Sequence, residues 1–250
     1  MFAKISKGIL AGAVLAAAST ILTPGVAAAS SCQLPVFGPG ASYRPQIRPS
    51  DFSPDVTNPF FPLPVGRTYV YTGVKDGKRA VDLVLASART RMVDGVRTRI
   101  VQDRLYLAGV LEERTADYYA QDRCGNVWYF GEDTAELDAH GQVTSTEGSF
   151  HAGVDGAQPG VFMQRRPQLG RWFRQEWYAG QAEDTFRAVA RHVEVTVPFG
   201  SFHDALRTEE RTALEPRVLD NKFYVQGIGV VSEASVTGPR EVLRLVEILS

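Results

Sequence analysis

From Gly66 onward, apolar and polar positions alternate in short runs punctuated by turn residues. Runs 68–74 and 79–87 flank Asp76-Gly77, runs 89–93 and 96–106 flank Asp94-Gly95, and Ala108-Gly109 leads into 110–116. Asp-Gly pairs accept the positive φ of a two-residue hairpin loop, so this part reads as an antiparallel meander. The clearest alternation lies in 186–199: Val193, Val195, Val197 and Phe199 share one face, and His192, Glu194 and Thr196 the other. Segments 205–214, 222–234 and 241–249 complete the series. The last also fits a helical period, but Gly238-Pro239 favours a hairpin return.

The densest chemistry falls in 117–134, DYYAQDRCGNVWYFGEDT. Runs 116–121 and 127–130 are rich in Tyr, Trp, Phe and Val, and Asp122 to Asn126 between them supplies Gly and Asn for the turn. Its five aromatics must divide between the two faces of a hairpin, with core packing the commoner use of such rings. Tyr119, Gln121, Trp128, Glu132 and Trp177 are the ligand-contact candidates.

Two segments lack a sustained period. Residues 33–65 are rich in Pro, Gly and Ser yet carry Phe37, Tyr43, Phe52, Phe60 and Phe61, which marks an extended wrapping arm whose 58–63 stretch plugs one end of the sheet. Residues 140–170 are Gly- and Pro-rich throughout and read as a long irregular loop, a form often used for binding. The expected fold is all-β: an antiparallel barrel or strongly curved sheet with that arm and that loop.

The first 29 residues change the picture of location. Lys4 and Lys7 precede an apolar, Ala-rich run, and Ala27-Ala28-Ala29 follows as a cleavage site, the signature of a secretory signal peptide. The division is then 1–29 signal peptide, 30–65 arm and 66–250 a single β domain, secreted or extracytoplasmic, with no transmembrane segment in the mature chain. Export favours a disulfide between Cys32 and Cys124, the only cysteines. The alternative is a lipid anchor on Cys32. Without Lys4 and Lys7 the chain carries 25 Lys and Arg against 28 Asp and Glu, so no basic excess points to nucleic acid or anionic lipid.

A loose echo, WYFGEDT at 128–134 and WYAGQAEDT at 177–185, places Glu132, Asp133, Glu183 and Asp184 at equivalent positions, with Glu176 nearby. These five carboxylates are the catalytic candidates of an acidic and aromatic rim, by acid/base chemistry of the kind that cleaves glycosides. No Cys/His cluster has zinc-ligand spacing and no EF-hand loop occurs, so no metal or cofactor is expected. Gly-x-Ser-x-Gly and His-Glu-x-x-His are absent from the sequence.

The chain resembles bacterial secreted proteins of unassigned function that carry a DYYAQDxxGNVWYxGEDT-like segment together with PG…M…P…G, QExxxGxAED and EP…KxY…GxG segments. Here these stand at 117–134, 159–170, 175–184 and 215–229. The resemblance implies one folded unit over most of the chain after Asn58 and brings no reaction with it. The expected function is binding of a small apolar or amphipathic ligand in a barrel-like cavity. A secreted hydrolase or lyase, and an envelope interaction module without a small ligand, are the alternatives.

Overall fold

The computed structural model describes residues 33–250. The expected signal peptide 1–29 and Cys32 lie outside them. Short 3-10 turns at Gly40–Ser42 and Pro49–Asp51 interrupt the arm, and all other regular structure is strand. In chain order the strands are β1 (Phe52–Ser53), β2 (Thr68–Lys75), β3 (Lys78–Val93), β4 (Val96–Leu107), β5 (Val110–Asp122), β6 (Val127–Leu137), β7 (Val143–Ser145) and β8 (Phe150–His151). There follow β9 (Gln158–Met163), β10 (Trp172–Arg174), β11 (Glu176–Trp177), β12 (Asp184–Val197), β13 (Gly200–Thr212), β14 (Leu219–Val225), β15 (Gly229–Thr237) and β16 (Glu241–Leu249).

Neighbouring strands run in the order β10, β12, β13, β14, β15, β16, β2, β3, β4, β5, β6, β9, β11, antiparallel throughout. Residues 172–177 bring the two ends of this path together: β10 pairs with β12, β11 pairs with β9, and the Gln175 N–H between them donates to Asp184 O at 2.8 Å. Gly160 makes this approach possible, because a Cβ there would lie 2.3 Å from the Gln175 backbone. The result is a nearly closed antiparallel barrel, as the alternation of 68–116 and 186–249 implies.

The three two-residue turns form as expected, with φ of 52° and 74° at Asp76-Gly77, 48° and 73° at Asp94-Gly95, and 51° and 88° at Ala108-Gly109. Three expectations are corrected. Runs 79–87 and 89–93 belong to one continuous strand, β3, which passes Ser87 through a register shift against β4. Segment 222–234 is two strands, β14 and β15, divided at Gly227, whose φ is +79°. The 140–170 stretch contains β7, β8 and β9, and β9 is part of the barrel wall, its Val161 and Gly160 paired with Trp128 and Tyr129.

The arm does plug one end of the barrel. Asn58, fully buried, donates from Nδ2 to Gly125 O at 2.8 Å, and its Oδ1 accepts from the Phe60 and Phe61 amides at 2.9 and 3.2 Å. That bracket delivers Phe60 and Leu63 into an apolar cluster with Tyr119, Tyr129, Met163, Leu206 and Tyr224. Upstream, Leu34, Ile47 and Phe52 cover a second cluster of Trp128, Phe130 and Tyr118. A third, around Tyr69, Tyr71, Leu105, Leu243 and Leu245, lies elsewhere along the barrel.

Candidate functional site

Inside the barrel the apolar phase of several strands is interrupted by acids. On β3 the residue between Ala80 and Val84 in that phase is Asp82, whose cross-strand partners are Tyr71 on β2 and Leu105 on β4. Asp103 on β4 and Glu113 and Asp117 on β5 occupy the same face, because β4 and β5 pair Val101 with Asp117 and Leu105 with Glu113. These acids, with Glu132, Glu176, Asp184, Glu210 and Glu233, line a cavity of about 330 Å³. Lys222 on β14 is the only Lys or Arg among the residues lining it.

The cavity has two chemical ends. Next to the plug, Phe61, Tyr119, Tyr129 and Phe162 pack ring to ring, with Phe61 and Phe162 centroids 4.6 Å apart and Tyr119 and Tyr129 stacked at 4.8 Å. Moving along β5 away from Tyr119, the inward positions become Asp117, Thr115 and Glu113. The Tyr129 hydroxyl joins the two ends by donating to Asp117 Oδ1 at 2.7 Å.

Burial and crowding raise seven of these carboxyls. Burial pushes Asp82 up to about 6 and Asp117 up to about 7, with the charge of Asp103 adding to the latter. Asp103 stands well above the carboxylate range through burial and its neighbour Asp82. Burial also lifts Glu233 to about 7. Glu132 and Glu176 are pushed well above the usual range by burial and by the surrounding acids, Asp117 and Asp184 respectively. Asp184 rises to about 6 for the same first cause, burial. Asp184 is exposed on its outer side, so solvent screens part of this shift, while Glu210, Asp220 and Lys222 act on its carboxyl from the barrel.

Lys222 is held against this field. Its Nζ lies 2.9 Å from Glu210 Oε2 and 3.6 Å from Glu233 Oε1. Burial opposes its charge, but those two carboxylates outweigh the penalty and keep it protonated. Asp82 has no such partner: the residue is 8 % exposed and its Oδ1 makes no hydrogen bond.

Of the residues singled out from sequence, Tyr119, Glu132, Glu176 and Asp184 meet in this cavity. Each Glu-Asp pair of the echo is split by strand alternation or by the turn. Glu132 faces inward while Asp133 lies outside, accepting from Tyr118 Oη and Arg91 Nη1, both at 2.5 Å, and lying 2.8 Å from His151 Nε2. Glu183 accepts from the Gly180 amide at 2.8 Å, where it secures a turn. The four-carboxylate rim is therefore not formed.

Gln121, Trp128 and Trp177 belong to the arm contacts and not to the cavity. Gln121 bonds the Thr57 amide and hydroxyl at 2.9 and 3.1 Å. Trp128 packs edge-on to Phe52 and donates from Nε1 to Asp122 Oδ2 at 3.0 Å. Trp177 lies against Gly40, where a Cβ would overlap its ring, and beneath the Arg174 guanidinium. Asp82, Asp103, Glu113, Asp117, Glu210, Lys222 and Glu233 were not anticipated. Asp82 stands in phase with Ala80, Val84 and Ala86, but Val81, Leu83 and Leu85 make the opposite face equally apolar, so the sequence alone does not tell which face turns inward.

No protein-family model matches this chain, and no curated protein does. Two solved structures are similar to it. One is a proposed exported protein with a YmcC-like fold from Bacteroides fragilis NCTC 9343, 12% identical, covering 76% of this chain and 99% of that one with a TM-score of 0.44. The other is a proposed lipoprotein from Parabacteroides distasonis ATCC 8503, 10% identical, covering 76% and 98% with a TM-score of 0.42. Among the described residues no helix is long and apolar enough to cross a membrane.

Proposed function

We infer that this protein is exported and holds a small amphipathic ligand inside its barrel. The observation that carries the reading is the cavity itself: about 330 Å³, aromatic at the plugged end, acidic beyond it, with a buried carboxylate oxygen that no protein group satisfies. That volume falls in the range of small-molecule sites, which pair an apolar wall with a few fixed polar groups. A buried carboxylate oxygen without a donor is costly in an empty protein and useful in a loaded one.

Native mass spectrometry of protein purified from its own host tests the reading, with a retained small molecule the expected result. An apo mass, together with failure of 1-octanol and its charged analogues to bind in calorimetry, removes it. Export adds a covalent expectation: the mature chain begins near Ser30 and joins Cys32 to Cys124, which sits in the β5–β6 turn. The intact mass should be lower than the dithiol mass by two hydrogens and should recover them on reduction. A diacylglycerol on Cys32 would instead identify a lipoprotein.

The alternative hydrolase or lyase draws on one specific observation. Burial and the charge of neighbouring acids push Glu132 and Glu176 well above the usual carboxylate range, while Asp184 in the same cavity rises only to about 6, and carboxyls pushed apart in this way are what acid/base cleavage uses. Turnover of glycoside or ester panels that Glu176→Gln abolishes would establish it. Turnover unchanged in that variant would remove it.

A further inference from the structure

We propose that the ligand's polar end is a protonated amine seated on Asp82; the proposal rests on the cavity-binding reading and names the ligand's chemistry. Three features of the cavity lead there.

The first is the poverty of donors around Asp82. Its partner across β2 is Tyr71, whose hydroxyl is already used in donating to Val230 O at 2.9 Å, and its partner across β4 is Leu105, which has no donor. Its diagonal neighbour on β4 is Asp103, which stands well above the carboxylate range and shares a side-chain hydrogen bond with Asp82, the one donor the wall brings to that carboxyl. The Asp82 Oδ1 is left unpartnered.

The second is the fate of the one cation in the wall. Lys222 lies against Glu210 and Glu233, which spend its charge on one side of the barrel. The remaining carboxyls make the interior hostile to an anion, whereas an ammonium offers both a charge and several N–H donors. Tyr71, the cross-strand partner of Asp82, lines the same cavity.

The third separates an organic cation from a metal. Among the described residues no group of three or more carboxylate, His or Cys side chains is arranged to hold a metal ion. The aromatic end formed by Phe61, Tyr119 and Phe162 has no use for a bare ion but suits the hydrocarbon body of an amine.

The test is a matched series with one body and three heads: octylamine, 1-octanol and octanoate, titrated calorimetrically into the intact mature protein near neutral pH. Octylamine should bind at least roughly tenfold tighter than 1-octanol, the scale of one hydrogen bond to a charged group, and octanoate weakest. Asp82→Asn should bring octylamine down to the affinity of 1-octanol and leave 1-octanol unchanged. Equal binding of amine and alcohol, or preference for octanoate, overturns the amine and leaves the cavity reading standing. Binding of none of the three defeats both. Amine selectivity that persists in folded Asp82→Asn overturns the seat. If that variant does not fold, the ¹³C carboxyl resonance of Asp82 in the wild type decides instead: it should shift on adding octylamine and not on adding 1-octanol, and an unmoved resonance overturns the proposal.

Discussion

The Lys222 ammonium lies 2.9 Å from the Glu210 carboxylate, and the Tyr224 hydroxyl donates to the other oxygen of that carboxylate at 3.2 Å. Lys222 and Glu210 face the same side of neighbouring strands β14 and β13, and Glu233 approaches from β15. Truncating one member of a buried pair leaves its partner's charge uncompensated, which costs about 3–5 kcal/mol when burial is complete. The Lys222 side chain retains 21% of its accessible surface, so Lys222→Met should cost somewhat less, about 2–4 kcal/mol, read from urea denaturation. A midpoint equal to wild type would mean that water replaces Lys222 beside Glu210 and Glu233 at no cost, and that the barrel interior does not hold these charges out of solvent.

Stability should fall as pH rises from about 5 to about 8, the reverse of what surface ion pairing produces. Asp82 ionises at about 6 and Asp117 and Glu233 at about 7, all raised first by burial, and the exposed Asp184, at about 6, adds a smaller, solvent-screened share. In the unfolded chain these groups ionise near 4. Between those limits the folded state holds more protons than the unfolded one, so the slope of stability against pH is negative. The contribution is fully present below about pH 4 and lost as pH climbs through the folded values. The melting temperature of the ligand-free protein should drop by roughly 5–10 °C between pH 5 and pH 8, corresponding to a few kcal/mol. A flat or rising profile would show that the cavity hydrates these carboxyls as bulk water does. A bound amine should flatten the slope by stabilising the ionised forms.

The contrast between β3 and β9 shows what the sequence made legible. Asp76-Gly77 and Asp94-Gly95 bracket β3, and local turn chemistry alone locates both of its hairpins. β9 has no such signal. It lies among the glycines of 140–170, and its strand character comes from pairing with β6 on one side and β11 on the other, contacts that depend on the closed barrel. The interior carboxylates were hidden for a related reason. In β3 both faces are rich in aliphatics, so Asp82 does not break an obvious alternation, and its inward phase emerges only from the register with Tyr71 and Leu105. The aromatic-rich hairpin 117–134 was visible as a dense site, but which ring faced which side was not. A bulge between Asp117 and Tyr119 resets the register with β6 there.

Asn58 should prove essential to the plug. Its amide makes three hydrogen bonds to backbone groups at zero exposure, which fixes the turn that drives Phe60 and Leu63 into the barrel end. Asn58→Ala orphans Gly125 O and two amides, a loss of about 2–4 kcal/mol with each buried unsatisfied group contributing. Limited proteolysis should then cut between the arm and β2 faster than in wild type. Asn58→Asp is the control. It keeps the acceptor for Phe60 and Phe61 and loses only the donor to Gly125 O, so it should sit between the two. If Ala and Asp behave alike, the donor to Gly125 carries the whole effect.

Trp128 and Tyr119 divide stability from binding, although both stand in the same aromatic hairpin. Ala120 and not Tyr119 is the cross-strand partner of Trp128, so the two rings fall on opposite faces of the β5–β6 pair. Trp128 is 5% exposed, covered by Phe52 of the arm and tied through Nε1 to Asp122. Tyr119 faces the cavity, stacked on Tyr129 and edge-on to Phe61 and Phe162. Truncating a buried large aromatic costs about 3–5 kcal/mol, so both Trp128→Ala and Tyr119→Ala should lower the denaturation midpoint. Only the Tyr119 variant should change the affinity for 1-octanol in protein that is still folded, because only that ring touches the ligand volume. Tyr119→Phe keeps the ring, and should retain both midpoint and affinity to within about 1 kcal/mol, since the Tyr119 hydroxyl makes no hydrogen bond that a ligand contact would need. Octanol binding weakened equally by Trp128→Ala and Tyr119→Ala would show that affinity follows global stability, and the assignment of the ligand's hydrocarbon body to the Tyr119 end of the barrel would fail.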